Sequence, residues 1–215
     1  MANESELSPQ RQATAAIAAF TATGQLPQLR DALADGLDAG LTISEINEIL
    51  VQMYAYAGFP RALNGLGTFM ALLQDRHGEG IDDPAGDQPT PLPAGTDVLA
   101  LGTENQTRLA GAPVQGPLFD FAPAIDQFLK AHLFGDIFAR DTLDWQSREI
   151  ATVAALANLD GVEGQLTSHL GIALNSGLSP AELRGLVAAL RSRVGPAAAD
   201  RAGELLDQVL ADSRS

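Results

Sequence analysis

Apolar side chains recur at steps of three and four through most of this chain. Behind Thr42-Ile43-Ser44-Glu45 they fall at Ile46, Ile49, Leu50, Met53 and Ala57, and behind Ser179-Pro180-Ala181-Glu182 at Leu183, Leu186, Val187, Leu190 and Val194. That spacing gathers each set on one face of a helix, which buries it against a core. The residues in front carry matching start signals: an N-cap hydroxyl with a glutamate three positions on forms a capping box, and Pro180 stiffens the first turn. Ser8-Pro9 opens QRQATAAIAAF in the same manner. Gly40 and Gly177 stand where the preceding helices should close.

The two stretches lie 137 positions apart, and the register extends beyond them. One ungapped shift pairs Arg11 with Arg148, Gly24 with Gly161, Gln28 with Gln165, Leu29 with Leu166, Leu33 with Leu170 and Leu37 with Leu174; Glu45 with Glu182 and Gly58 with Gly195 complete it. An Ala/Leu-rich chain matches apolar letters by chance, but not glycines, caps and Arg/Gln positions in one frame. The pattern reads as a duplicated helical unit. Each copy predicts three helices, over about 8–23, 27–39 and 43–57 and over about 145–159, 163–176 and 180–194, with a further helix after each at about 61–74 and 197–211.

Residues 1–74 are thus expected to form a first unit and 118–215 a second that carries the candidate site, with a linker over 75–117. Within it RHGEGIDDPAGDQPTPLPAGT is too rich in Pro, Gly and Asp to hold a helix, while TDVLALGTENQTRLAG is compatible with a short one. APAIDQFLKAHLFGDIFAR predicts another helix. No stretch alternates as a strand does, so the expected fold is all-α.

Composition narrows the function. With 46% hydrophobic residues over 215 positions the chain can bury a sizeable core. Thirteen basic against twenty-seven acidic side chains, a net charge of −14 and no Lys/Arg-rich run argue against nucleic acid and anionic membranes as partners. No run approaches the roughly 18–20 apolar residues that span a bilayer, and MANESELSPQ lacks the basic start and apolar core of a secretion signal, so a cytoplasmic location is expected. The absence of cysteine removes disulfides, thiolate nucleophiles and peroxide-reducing thiols together. Without a phosphate loop, an HExxH helix or an EF-hand loop, neither a metal nor a cofactor is expected.

Three histidines limit the acid–base candidates. His77 stands with Asp75, Glu79, Asp82 and Asp83 at the start of the linker, an acidic loop of the kind that is ordinarily solvated. His169 flanks the stripe Leu166, Leu170, Ala173 and Leu174, which places an imidazole at a core boundary, either as a hydrogen-bonded structural group or as an acid–base group. Glu149 shares a helix face with Val153 and Leu156, so its carboxylate needs a buried partner, for which Arg148 and His169 are the candidates. The first copy has Gln12 and Ala32 at these two places. One copy is therefore expected to hold a site and the other to act as scaffold. His132, Asp136 and Arg140 follow at four-residue steps, either as a ladder on a solvated face or as a polar wall toward the second unit.

The stretch HLFGDIFARDTL, then Arg148, then GQLTSHLGIALNSGLSPAEL closely resembles the carboxymuconolactone decarboxylase family, and AYAGFPRALN is similar to that family's helix ending in Y-x-G-x-P. The resemblance implies an all-α, alkylhydroperoxidase D-like bundle that assembles into rings, hence a homo-oligomer and here a trimer of two-copy chains. In the family's peroxidase branch a C-x-x-C precedes the histidine, but Val162 and Gln165 occupy those places, so thiol chemistry is excluded. The decarboxylase branch's H-x-x-G-D-I-x-x-R pattern matches His132, Gly135, Asp136, Ile137 and Arg140, and its later histidine and N-x-G match His169, Asn175 and Gly177. Gln165 stands where decarboxylases of this type carry glutamate; the carboxylate is at Glu149 instead.

What the resemblance implies is cofactor-independent loss of CO₂ from a small anionic lactone or related carboxylate. His169 paired with Glu149 is the expected general acid, His132 or Asn175 the group that polarises the carbonyl, Arg140 or Arg148 the bidentate holder of the substrate carboxylate, and Gln165 part of the binding wall. The residues also allow a non-enzymatic oligomer whose pocket binds a small ligand.

Overall fold

The computed structural model describes residues 7–212; the opening MANESE, read above for a secretion signal, lies outside them. Its helices are α1 Pro9–Thr23, α2 Leu26–Asp38, α3 Ile43–Ala57, α4 Phe59–Gly78, α5 Val98–Ala110, α6 Pro117–Phe121, α7 Pro123–Phe128, a π-helical segment Leu129–Ile137, α8 Trp145–Ala157, α9 Glu163–Asn175, α10 Pro180–Arg193 and α11 Pro196–Asp212. Among the described residues there is no strand, and the fold is all-α as the periodicity predicts. No described helix is long and apolar enough to cross a membrane.

The predicted caps form in both units. Thr42 Oγ1 accepts from Glu45 N at 3.2 Å while Glu45 Oε2 accepts from Thr42 N at 2.7 Å; Ser179 and Glu182 repeat the box at 3.2 and 2.9 Å. The turn before each box also repeats, with Leu41 N donating to Gly36 O and Leu178 N to Ala173 O. These reciprocal bonds satisfy the donors that a helix start leaves open.

At the centre α1 packs along α8, and each carries the third helix of the other unit: α3 lies on α8 and α10 on α1. Both central helices are buried nearly all round, which explains their many alanines. Ala13, Ala15, Ala16, Ala18 and Ala19 face a core that also holds Ala151, Ala154, Ala155 and Ala157, and small side chains let two backbones approach closely. One hydrophobic cluster runs through both units, from Ile17, Leu33 and Met53 to Leu166, Leu186 and Leu206.

Two regions differ from the sequence expectation. APAIDQFLKAHLFGDIFAR, expected as one helix, breaks into α7 and the π-helical segment, where Phe138 N donates five residues back to Leu133 O. The cause is visible in α5, which lies against this segment at unusually close range. A methyl group on Gly102 would stand 1.8 Å from Lys130 O, and one on Gly135 would stand 2.5 Å from Val98 O. Glycine at both positions is what lets the two backbones touch, and the wide turns open the segment to receive α5. Residues 81–97 hold no helix, as predicted, but are tied down: Pro84 O and Ala85 O accept from Ile43 N and Ser44 N, the open donors of the first turn of α3.

Candidate active site

Polar groups on buried helix faces need partners, and α3 and α8 supply them to each other. Glu48, Gln52 and Tyr56 follow at four-residue steps on α3; Arg148, Glu149 and Thr152 lie on α8. Arg148, with no exposed side-chain surface, donates to Glu48 Oε2 at 3.0 Å, Gln52 Oε1 at 3.1 Å and Arg140 O at 2.9 Å. Arg140 grips the same carboxylate in a fork, its Nη2 at 2.7 Å from Oε1 and its Nε at 2.9 Å from Oε2. Burial alone pushes the Glu48 carboxyl up, but the hydrogen bonds and charges of Arg140 and Arg148 outweigh it and hold the group below the usual carboxylate range. Burial also pulls the Arg148 guanidinium down, with Glu48 opposing. Gln52 Nε2 continues the seam to Arg148 O and Thr152 Oγ1, both at 2.9 Å.

One turn further the seam ends at an imidazole. His169 Nδ1 and Glu149 Oε2 share a hydrogen bond of 2.8 Å, with the His169 side chain 12% exposed and that of Glu149 fully buried. This contact occupies Nδ1 and leaves Nε2 for a ligand. The Tyr56 ring meets the imidazole edge-on, with centroids 5.6 Å apart. Its buried hydroxyl stands beside Thr152 without completing a hydrogen bond. Burial, and then the neighbouring charge of Glu149, hold the Tyr56 phenol far above its ordinary range, so the hydroxyl keeps its proton and remains a donor.

His169 and Tyr56 open into a pocket of about 630 Å³ enclosed by α3, α5, α9 and the π-helical segment. Leu129, Leu133, Phe134, Leu156 and Ile172 make its walls mostly apolar; Gln106, Gln165, Ser168 and Asn175 add polar groups, and the described lining residues include neither lysine nor arginine. Asn175 Nδ2 is engaged with Leu109 O at 2.9 Å and Ser168 Oγ with Gly164 O at 2.9 Å. Asn175 thereby pins α5 to α9 and sets the height of the pocket.

Of the residues singled out in the sequence, the structure gathers His169, Glu149, Gln165 and Asn175 at this pocket, with Glu149 behind His169. It does not bring Arg140, Arg148 or His132 there. The two guanidiniums are consumed by Glu48, whose buried charge requires them. His132 is half exposed and bonds Asp136 Oδ2 at 2.7 Å, so the first two members of the expected ladder stay on a solvated face while Arg140 turns away to α3 of the first unit. His77, expected in a loop, lies on the exposed last turn of α4, which runs four residues further than predicted, 3.4 Å from Asp82; among the described residues no group of three or more His, Asp or Glu is placed to hold a metal ion. Two pocket residues were not anticipated, Tyr56 and Gln106. The period-four row Glu48, Gln52, Tyr56 on an otherwise apolar helix was the available signal for the first.

Comparison with known protein families agrees with this geometry. The model of the carboxymuconolactone decarboxylase family matches residues 1–69 and 123–208, two segments that hold Tyr56, Glu149 and His169 and leave α5 between them. Comparison with curated proteins returns no match. The family match spans well over half of the chain and fits two helical units around one central helix pair; this chain belongs to the carboxymuconolactone decarboxylase family.

Proposed function

We propose that this chain is a cofactor-independent lyase that removes CO₂ from a small unsaturated lactone or related oxo-carboxylate bound beside His169. The observation that carries the reading is the buried Glu149–His169 pair opening into an apolar pocket that the Tyr56 side chain also lines. Decarboxylation moves charge from a compact carboxylate into a delocalised enolate. An apolar wall penalises the first more than the second, and an arginine on the carboxylate stabilises the reactant, so walls without cationic side chains suit this step.

In the reaction the bond from carbon to the carboxylate breaks, its electron pair moves through the conjugated system to the carbonyl oxygen, and CO₂ leaves. His169 then delivers a proton from Nε2 to the carbon, the electron pair returns, and water reprotonates the imidazole; the net reaction consumes one proton. Glu149 fixes the ring through Nδ1 and faces the imidazole as its counter-group. We also infer a homo-oligomer, a trimer being the form to test by light scattering; exposed Phe59, Leu63 and Met70 on α4 support an apolar contact surface.

The test is release of CO₂ from a panel of carboxylated unsaturated γ-lactones and 3-oxo acids labelled at the carboxyl carbon. Release by the wild type, reduced at least about 100-fold in His169→Ala, is expected. Unchanged release in the variant, or none from any member by the wild type, overturns the reading.

A further inference from the structure

The stretch that follows α5 is rich in apolar side chains that bury nothing. No residue from 110 to 132 is buried, the short helices α6 and α7 included. Yet Phe121 is 87% exposed, and Leu118, Ile125 and Phe128 are each more than half exposed. Large apolar side chains grouped in this way stay in water only until something covers them. The stretch is also weakly held. α6 packs chiefly on α7, and α7 on the π-helical segment. Phe119 N and Asp120 N donate to Gly116 O, Ala122 N to Leu118 O and Ile125 N to Ala122 O, so these hydrogen bonds all close inside the stretch, as does the pair of Lys130 and Asp126 at 2.6 Å. Few buried side chains and self-contained hydrogen bonds mark a unit that can move by itself. At its start Gly111 (φ +79°) and Gly116 (φ +149°) hold backbone conformations that other residues rarely adopt, and so supply a hinge.

The surface it can cover lies beside it. Leu118 and Phe119 already line the His169 pocket, and across the mouth α9 presents Gly164, Gln165 and Ser168, all exposed. A methyl group on Gly164 or Gly171 would meet no neighbouring atom within 4 Å, so this rim is bare and has room for an aromatic ring. We propose that residues 112–128 are a lid over the His169 pocket, which swings about Gly111 and Gly116 and lays Phe121 on the glycine rim of α9. This rests on the reading of the pocket as a lyase site and says how that site is shielded: the carbon that loses CO₂ takes its proton from His169, and the closed lid keeps out the bulk water that would otherwise supply it. Burial of the apolar side chains drives closure, and their exposure is the cost of the open state. Asp120 and Asp126 on the same helices, in a chain of net charge −14, make an anionic membrane a poor alternative cover.

The test is a lock, which the absence of cysteine allows to be built without competing thiols. Phe121→Cys with Gly164→Cys puts one thiol on the lid and one on the rim, both at exposed positions where the replacement disturbs no packing. A disulfide needs Cα atoms within about 7 Å. Phe121 does not line the pocket in the open structure, so a disulfide formed under mild oxidation reports closure. The expected product is a disulfide within one chain. In that oxidised form acylation of His169 by diethyl pyrocarbonate is expected to slow at least about tenfold and to recover with dithiothreitol, while acylation of the exposed His77 stays unchanged. No disulfide, a disulfide only between two chains, or equal acylation of His169 in the two forms overturns the proposal. These readouts need no turnover, so absence of CO₂ release from every carboxylated compound sinks the lyase reading alone, and absence of closure sinks the lid alone.

Discussion

The pocket beside His169 has a counterpart 137 residues earlier in the chain; the two share a glutamine, Gln28 and Gln165, and have diverged at the places of Tyr56, Glu149 and His169. The earlier cleft is lined by Ala16, Phe20, Gln28, Asp31, Ala32, Asp35 and Arg193 and encloses about 220 Å³, against about 630 Å³ for the other. Ala32 stands in the place of His169 and Arg193 in that of Tyr56, while Gln12, in the place of Glu149, bonds Leu7 O at 2.8 Å. Arg193 is paired with Asp35 at 3.1 Å, and Phe20 occupies the position that Ala157 holds in the second unit. The ionic seams differ likewise. Arg148 is sealed against Glu48, whereas its counterpart Arg11 reaches the cap glutamate Glu182 at 2.8 Å in a pair about a quarter exposed, because the position matching Glu48 is Gly185. Caps, turns and core are shared; among the described residues the Glu149–His169 pair, the Tyr56 phenol and the roof made by α5 belong to the second cleft and have no counterpart in the first.

The largest effect separating the two halves concerns the seams. Glu48→Gln leaves Arg148 buried without a counter-charge and is expected to cost about 3 kcal/mol in urea unfolding, against at most about 1 kcal/mol for Glu182→Gln, which keeps an acceptor for the cap and loses only the partly exposed pair with Arg11. The same variant changes the acid limb of stability. A carboxyl whose folded value is depressed contributes stability that is complete above its ordinary value of about 4.3 and is lost as pH falls through the lower folded value. Wild-type stability should therefore fall steeply below about pH 4, and Glu48→Gln should flatten that fall; an unchanged slope refutes the seam's assigned role.

Next in size is the roof, which only one cleft possesses. Gly102→Ala drives a methyl group into Lys130 O and is expected to cost about 1–3 kcal/mol, with hydrogen exchange rising along α5 and the π-helical segment while α1 and α2 stay protected. Uniform loss of protection in both units contradicts an independent roof. The smallest effect is a transplant. Gln12→Glu with Ala32→His recreates the carboxylate–imidazole pair in the first unit, yet the cleft there is about a third the volume and lacks both a phenol and a roof. No CO₂ release is expected from this double variant in a His169→Ala background; recovered turnover means that the pair alone suffices.

The helices were legible because their signals are local. Caps at Ser8, Thr42 and Ser179 and apolar steps of three and four placed eight of them to within a few residues, and the shared core-facing side of Glu149 and His169 anticipated their contact. What was not legible depends on contacts distant in sequence. Arg140 and Arg148 look like anion-binding groups until Glu48, on α3, is seen to claim both. Gln106 lies in a stretch that periodicity reads as part of a linker, and becomes a pocket wall only because Gly102 and Gly135 let two backbones touch. The π-helical turns over 129–137 have no periodic signature, since the segment is as apolar as the α-helix expected there.

The central claim is that His169 delivers a proton to the carbon that loses CO₂. Running the decarboxylation of a turned-over γ-lactone in D₂O and reading the product by NMR tests it directly. One deuterium on a single face of that carbon in the wild type, with His169→Ala giving either no product or deuterium on both faces, is the predicted result; deuterium on both faces in the wild type, or a single-faced product from the variant at the wild-type rate, contradicts it.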